Sequence, residues 1–179
     1  MTSFIIKAHE NRPLPEAWKV DPDCPFCRIV RGEAPAFRLY ENDLVAAFLD
    51  IHPLRPGHAL VIPKTHYSRV SELPPEFSAA LGVAVSTVAH AMTEALHNTA
   101  LNVVCNQEYA QAVPHVHYHI IPAPRAGSSE SATPSNPAKV DHIVQPLTYK
   151  EMHKMEFESR TLLHEEEAVV LAEKIRARL

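Results

Sequence analysis

No apolar run in the 179-residue chain approaches the roughly 18 residues needed to span a bilayer. The start lacks the pattern of a secretory signal, because Phe4-Ile5-Ile6 is broken off by Lys7, His9, Glu10 and Arg12. The expectation is an intracellular protein, cytoplasmic or nuclear, with no membrane partner. Basic residues are scattered, and 17 Lys and Arg against 21 Asp and Glu leave a net charge of -4, which argues against a nucleic-acid-binding surface. Three cysteines are too few for a disulfide framework. There is no internal repeat.

What is present suits one globular domain with an appendage: 46% of the residues are hydrophobic. Residues 1–23 are proline-containing and aperiodic, so they read as an irregular N-terminal arm from which Trp18 packs back on the body. Next comes Cys24-Pro25-Phe26-Cys27, which reads either as a redox dithiol or as half of a tetrahedral zinc site. A redox pair should follow a buried strand and open a long helix. Lys19 to Asp23 make a poor strand and Gly32 stops the next turn early, which favours zinc. An unmetallated pair of packed cysteines is the third reading.

Phe37–Tyr40, Leu44–Asp50 and His58–Pro63 alternate like strands and lie close enough in sequence for an antiparallel meander. Pro74-Pro75-Glu76 opens a helix that runs to Asn98, with Phe77, Leu81, Val85, Val88, Met92 and Leu96 on one face to cover the sheet. Leu101–Asn106 is a fourth strand, and Gln107–Pro114 connects it to a fifth. Residues 125–141, rich in proline, serine and alanine, read as a flexible linker. Residues 142–179 form an extension whose helix carries Ala168, Leu171, Ala172, Ile175 and Leu179 as a stripe.

The fifth strand reads His115-Val-His-Tyr-His-Ile-Ile. Alternation in a strand sends His115, His117 and His119 to one face. Three imidazoles in a row concentrate groups that titrate near neutral pH, bind metals and act as nucleophiles, so either metal or covalent chemistry is implied. Six of the twelve histidines, His9, His90, His97, His142, His153 and His164, stand in helical or polar settings and are read as surface residues.

The His-φ-His-φ-His-φ-φ pattern, together with LVAAFLDIHPLRPGHALVIPKTH from Leu44 to His66, resembles the histidine triad (HIT) superfamily in its Hint branch. The resemblance covers residues 24–124. It implies an α+β fold: an antiparallel sheet of about five strands with one long covering helix, usually in a homodimer. It implies a nucleotide hydrolase or transferase, like an adenosine 5′-monophosphoramidase, that acts on a purine nucleotide such as AMP. His117 becomes the nucleophile that is nucleotidylated, with His119 and His58 completing the catalytic site. Asp50 holds the ribose hydroxyls, Phe26, Ile29, Ile51 and Leu60 surround the base, and Asn106 and Gln111 lie near the phosphate. Structural zinc would be held by Cys24, Cys27, His66 and His115.

One departure stands out. Relatives carry a Gly-Gln-Ser/Thr segment before the histidine strand, whereas this chain has Ala110-Gln111-Ala112 after a shortened loop. Loss of that hydroxyl bears on turnover by on the order of 1.5 to 3 kcal/mol if it makes a charge-assisted hydrogen bond. A dinucleoside polyphosphate hydrolase, or a nucleotide-binding interaction protein with weak turnover, are therefore the alternatives.

Overall fold

The structure, a computed structural model, describes residues 4–9, 14–124, 160 and 162–179. The linker at 125–141, most of the extension before residue 160, His142 and His153 lie outside the described residues.

Five strands form one antiparallel sheet: β1 (Arg38–Glu41), β2 (Val45–Leu49), β3 (Ala59–Pro63), β4 (Leu101–Cys105) and β5 (Tyr118–Pro122). Their spatial order is β1-β2-β3-β5-β4. The first three make the expected meander, while β5 inserts between β3 and β4, pairing Leu60 with His119 on one side and Val104 with His119 on the other. Alternation along β2 sends Val45, Ala47 and Leu49 to one face and Ala46 and Phe48 to the other, yet all five are buried because both faces are covered.

Helix α3 (Pro75–Leu96) covers the first face. Pro75 sits in its first turn, where a missing N–H costs nothing, and His97 closes it in a left-handed conformation (φ 52°). Its buried stripe is Phe77, Leu81, Ala84, Val88, Ala91, Met92 and Ala95. The sequence stripe names four of these. Val85 and Leu96 are only half-buried, because the three alanines let the helix lie close to the sheet on a slightly rotated face. With 22 residues and a mean hydropathy of 1.3, α3 is long and apolar enough to cross a membrane, which corrects the expectation that no run comes near a span. Its apolar stripe instead faces the strands. Leu96 also packs where Gly57 comes close: a Cβ on Gly57 would lie 2.7 Å from Leu96 Cδ1, and Gly57 has φ +92°.

Two short helices and a terminal one complete the layers. Helix α2 (Pro25–Val30) packs Phe26, Cys27 and Val30 on the second face against Ala46, Phe48, Leu60 and Ile62. Helix α4 (Glu165–Arg176) docks on β1 and α3 through Ala168, Ala172 and Ile175. Acidic residues fill its first turn and basic ones its last, in accord with the helix dipole.

The N-terminal arm is not wholly irregular. Phe4–His9 forms helix α1, whose Ile6 is completely buried beside β1. Ile6 gives this segment something to bury, and His9 is tied down through Asp43 (2.8 Å) and Lys64 Nζ–H (3.2 Å to His9 O). Trp18 packs back as expected, its ring edge-on to Phe77 at 5.1 Å.

The histidine row is carried differently from the expected single strand. β5 begins only at Tyr118. Upstream, His115 N–H bonds Val113 O (2.8 Å) and Val116 N–H bonds Tyr67 O (2.7 Å), because Pro114 has no N–H to extend a ladder. Alternation nevertheless survives, with Val116 joining the α3 side while His115 and His117 face α2.

Candidate functional site

All the candidate chemistry lies on the α2 face of the sheet, in two adjoining clusters separated by Phe26. The Phe26 ring stands edge-on to His115 (5.8 Å), His117 (5.3 Å) and Phe48 (5.6 Å).

The first cluster joins Cys24, Cys27, His66 and His115. The turn opening α2 places the two sulfurs on one side, β3 leads into His66, and the turn at Pro114 delivers His115. Cys24 Sγ lies 3.5 Å from His115 Nδ1, Cys27 Sγ lies 3.4 Å from His66 Nδ1 and 3.7 Å from His115 Nδ1. The four donor atoms all fall within 4.8 Å of one another. His115 Nε2–H donates to Pro63 O (2.9 Å), which leaves the bare Nδ1 aimed at the sulfurs. His66 turns its Nε2 toward Asp21 Oδ2 at 3.8 Å, an outer carboxylate of the kind that orients metal-ligating imidazoles. The two thiols divide their protons unequally. A hydrogen bond from Cys27 holds the Cys24 thiol down at about 3, and the same bond together with burial pushes Cys27 up. A convergent set of two sulfurs and two imidazole nitrogens, buried except for the half-buried His66, is a donor set that could hold a metal ion with no position left open for substrate.

The second cluster is His117, His119, His58 and Asp50. His117 Nδ1–H donates to His115 O (2.6 Å), so its lone pair is on Nε2. His58 is oriented by a backbone group: Leu54 N–H donates to His58 Nδ1 (3.1 Å), so His58 carries its proton on Nε2 and donates it to His119 Nδ1 (2.9 Å). His119 is left with its proton on Nε2. The His117 and His119 rings lie 4.8 Å apart, edge to face. Asp50 directly follows β2, accepts the His52 N–H (2.9 Å) and lies 3.5 Å from His58 Nδ1.

Burial governs the protonation states. It pushes His58 down to about 3 and His119 down to about 4, with neighbouring cations adding to the effect, and it lowers His117 as well. All three imidazoles are therefore neutral at pH 7. Burial also raises Asp50, against the opposing charge of His52 N–H and Arg160. The arrangement offers a neutral nucleophilic nitrogen on His117 beside an N–H donor on His119.

Of the residues expected around a base, Phe26 and Leu60 are buried and Ile29 half-buried, whereas Ile51 is 55% exposed at the site's edge. Asn106 Nδ2–H bonds Ala110 O (3.3 Å). The Gln111 amide is engaged at both ends, donating to Ser68 O (2.9 Å) and accepting from Glu108 N–H (2.8 Å). It braces a loop in which Glu108 and Ala110 both have positive φ. Sequence reasoning missed three contributors: the Leu54 N–H, Asp21 and Arg160, whose charge is felt at Asp50, His58 and His119. The first is a backbone group that no residue type announces. Arg160 stands beyond the linker with no motif around it.

Comparison with known proteins points the same way. The HIT domain family matches residues 31–126, more than half of the chain. An adenosine 5′-monophosphoramidase of Schizosaccharomyces pombe is 38% identical over 132 residues, 71% of this chain and 97% of its own length. An Arabidopsis thaliana protein named as an adenylylsulfatase is 40% identical over 109 residues, 60% of this chain, but the match spans only about half (55%) of that relative. Among solved structures, a zinc-bound histidine triad family protein from Mycobacterium smegmatis superposes with a TM-score of 0.62 at 30% identity, covering 87% of this chain and 92% of the other. On its fold, its histidine cluster and these matches, the chain belongs to the HIT family.

Proposed function

We propose that the protein is a nucleotide hydrolase or transferase that releases a nucleoside 5′-monophosphate from a phosphoramidate or related ester, through a nucleotide held covalently on His117. The observation that carries this reading is the His117 Nδ1–H bond to His115 O, which fixes the tautomer and leaves Nε2 as the nucleophile beside His119. In the first half, the Nε2 lone pair forms a bond to the α-phosphorus as the bond to a leaving nitrogen, already protonated from solvent, breaks. His117 then carries the positive charge. In the second half, water forms a P–O bond, the P–N bond breaks, the lone pair returns to Nε2 and the water's proton leaves to solvent. The His119 Nε2–H is placed to donate to a nonbridging oxygen, where charge must be stabilised. Asp50, at the end of β2, suits the ribose hydroxyls, and Phe26, Ile29, Ile51 and Leu60 suit the base, with Asn106 and Gln111 holding the neighbouring loop.

The substrate class follows the relatives named as adenosine 5′-monophosphoramidase and adenylylsulfatase, both of which act on an adenylyl group by name. The first cluster is proposed to hold a structural zinc ion on Cys24, Cys27, His66 and His115, which leaves His117 and His119 for chemistry. Association as a homodimer is proposed through β4, the edge of the sheet, where Val103 and Val104 are exposed.

Intact-protein mass spectrometry after brief mixing with adenosine 5′-phosphoramidate tests the mechanism. Wild type should gain the mass of one adenylyl group transiently, and His117→Ala should gain none. AMP release without any adduct, or an adduct that survives in His117→Ala, rules out this nucleophile.

A further inference from the structure

The C-terminal segment returns to the nucleotide site. Leu163 N–H donates to Ile51 O (2.9 Å), the residue next to Asp50. Behind it α4 is anchored by buried Ala168, Ala172 and Ile175, and by Arg176 Nη1–H to Arg38 O (2.8 Å). Arg160 lies three residues before Leu163 in the sequence, is half-buried, and has its Nε shut off from solvent. Its positive charge opposes the rise of Asp50 and helps to depress both His58 and His119. The Leu163–Ile51 bond thus returns the extension to the residue beside Asp50, and the charge of Arg160, three residues earlier, is felt at Asp50, His58 and His119.

That corner has a charge problem that Arg160 answers. The three imidazoles are neutral, and Asp50 adds a negative charge when ionised. An α-phosphate joined to an amine brings one further anionic group, to which the His119 N–H can donate. An α-phosphate joined to sulfate or phosphate brings two anionic groups to a half-buried site, and burying them beside Asp50 without a cation is costly. A guanidinium supplies a permanent charge and a planar fork that fits tetrahedral oxyanions bidentately.

We propose that Arg160 is a substrate-recognition residue that selects nucleotides whose leaving group is itself a tetrahedral anion, a sulfate or a phosphate, over those whose leaving group is an amine. This deepens the nucleotidyl-transfer reading of the site and rests on it. It also gives the C-terminal extension a role: α4 is the anchor that holds Arg160 in place.

The test compares full-length wild type, Arg160→Gln and Arg160→Lys on three substrates that share the adenylyl group: adenosine 5′-phosphoramidate, adenosine 5′-phosphosulfate and ADP. Arg160→Gln should lower kcat/KM by about 10- to 100-fold on the anionic-leaving-group substrates and by less than about threefold on the phosphoramidate. Arg160→Lys should restore part of the loss. A loss confined to phosphosulfate, or to ADP, identifies which oxyanion is recognised. A second arm measures the Kd for phosphosulfate and for phosphoramidate in His117→Asn with and without Arg160→Gln, so selectivity is read even without turnover. Wild type that turns over none of the three while the binding selectivity holds refutes the hydrolase reading and upholds Arg160. Equal losses on all substrates would show that Arg160 merely positions Asp50 or the fold, and no loss on any would show that it is a bystander; either result overturns the inference.

Discussion

Three imidazoles of the site are held in one tautomer by backbone groups that no motif encodes: His117 by the His115 carbonyl, His58 by the Leu54 amide, His115 by the Pro63 carbonyl. The types and positions of the histidines were legible in the sequence because a His-x-His-x-His run is rare and chemically loaded. Their tautomers were not, since these depend on backbone groups brought up by the fold. The burial that keeps His58 and His119 neutral has a stability consequence. Both have folded values, about 3 and about 4, below the ordinary 6.5, so the unfolded chain binds more protons between those limits. Stability contributed by these groups is complete above pH 6.5 and is lost as the pH falls toward 4 and then 3. Asp50, raised by burial, works in the opposite direction over the carboxylate range. Thermal unfolding followed from pH 7 to pH 4 should show a falling midpoint, with His58 accounting for on the order of 3 kcal/mol of that fall. His119→Asn, which cannot take up a proton, should flatten that slope. An unchanged slope in the variant would mean that other groups dominate the acid sensitivity.

The elements were legible in proportion to how far their signals were local. The β1 to β3 meander and α3 follow from alternation and from proline at a helix start, and strand ends differ from the expected ones by only a residue or two. Helix α1 escaped because six residues carry too little periodicity, and the late start of β5 escaped because the decisive contact, Val116 with Tyr67, is long-range. Between elements the sequence was silent about a buried ionic group. Glu41, fully buried at the end of β1, accepts from Arg38 on the same strand and pairs with Lys64 just past β3 (2.8 Å). Arg38 Nη2–H also reaches Ile29 O on α2 (2.5 Å), Lys64 reaches His9 O at the end of α1, and Arg176 of α4 bonds the Arg38 carbonyl. One carboxylate therefore anchors two cations that between them tie α1, α2, β1, β3 and α4 together. Removing it leaves two buried cations without their anion, which is worse than losing a surface pair. Glu41→Ala should cost about 3 to 5 kcal/mol in urea unfolding, against little or nothing for breaking the solvent-screened Arg31–Glu33 pair with Glu33→Ala. Similar small costs for both would show that the Glu41 cluster is relaxed by water and does not tie the layers.

At the scale of the molecule, the two clusters divide the work between holding and reacting. The cysteine and histidine donors come from four places along the chain: the opening of α2, its first turn, the residue beyond β3 and the approach to β5. A cation bound there would clip the N-terminal layer to the strand that carries His117 and His119, and because the His115 backbone carbonyl accepts the His117 Nδ1–H, the same residue would link the clip to the nucleophile. The sequence made the two cysteines conspicuous, while His66 and His115 entered through family resemblance alone; the geometry adds the bare Nδ1 of His115 and the outer Asp21. Protein purified without chelators should carry zinc at about one ion per chain, and stripping it should lower the unfolding midpoint by on the order of 10 °C, as expected for the loss of several kcal/mol in a chain of this size. Cys27→Ser should abolish zinc retention and reproduce the lowered midpoint. Because the clip positions the His115 carbonyl, stripped protein should also form the His117 adduct more slowly while still binding AMP. Full adduct formation and an unchanged midpoint in metal-free protein would show that packing alone holds His115 in place. A Cys24–Cys27 disulfide in that protein, seen as the loss of two hydrogens from the intact mass, would return the pair to redox chemistry.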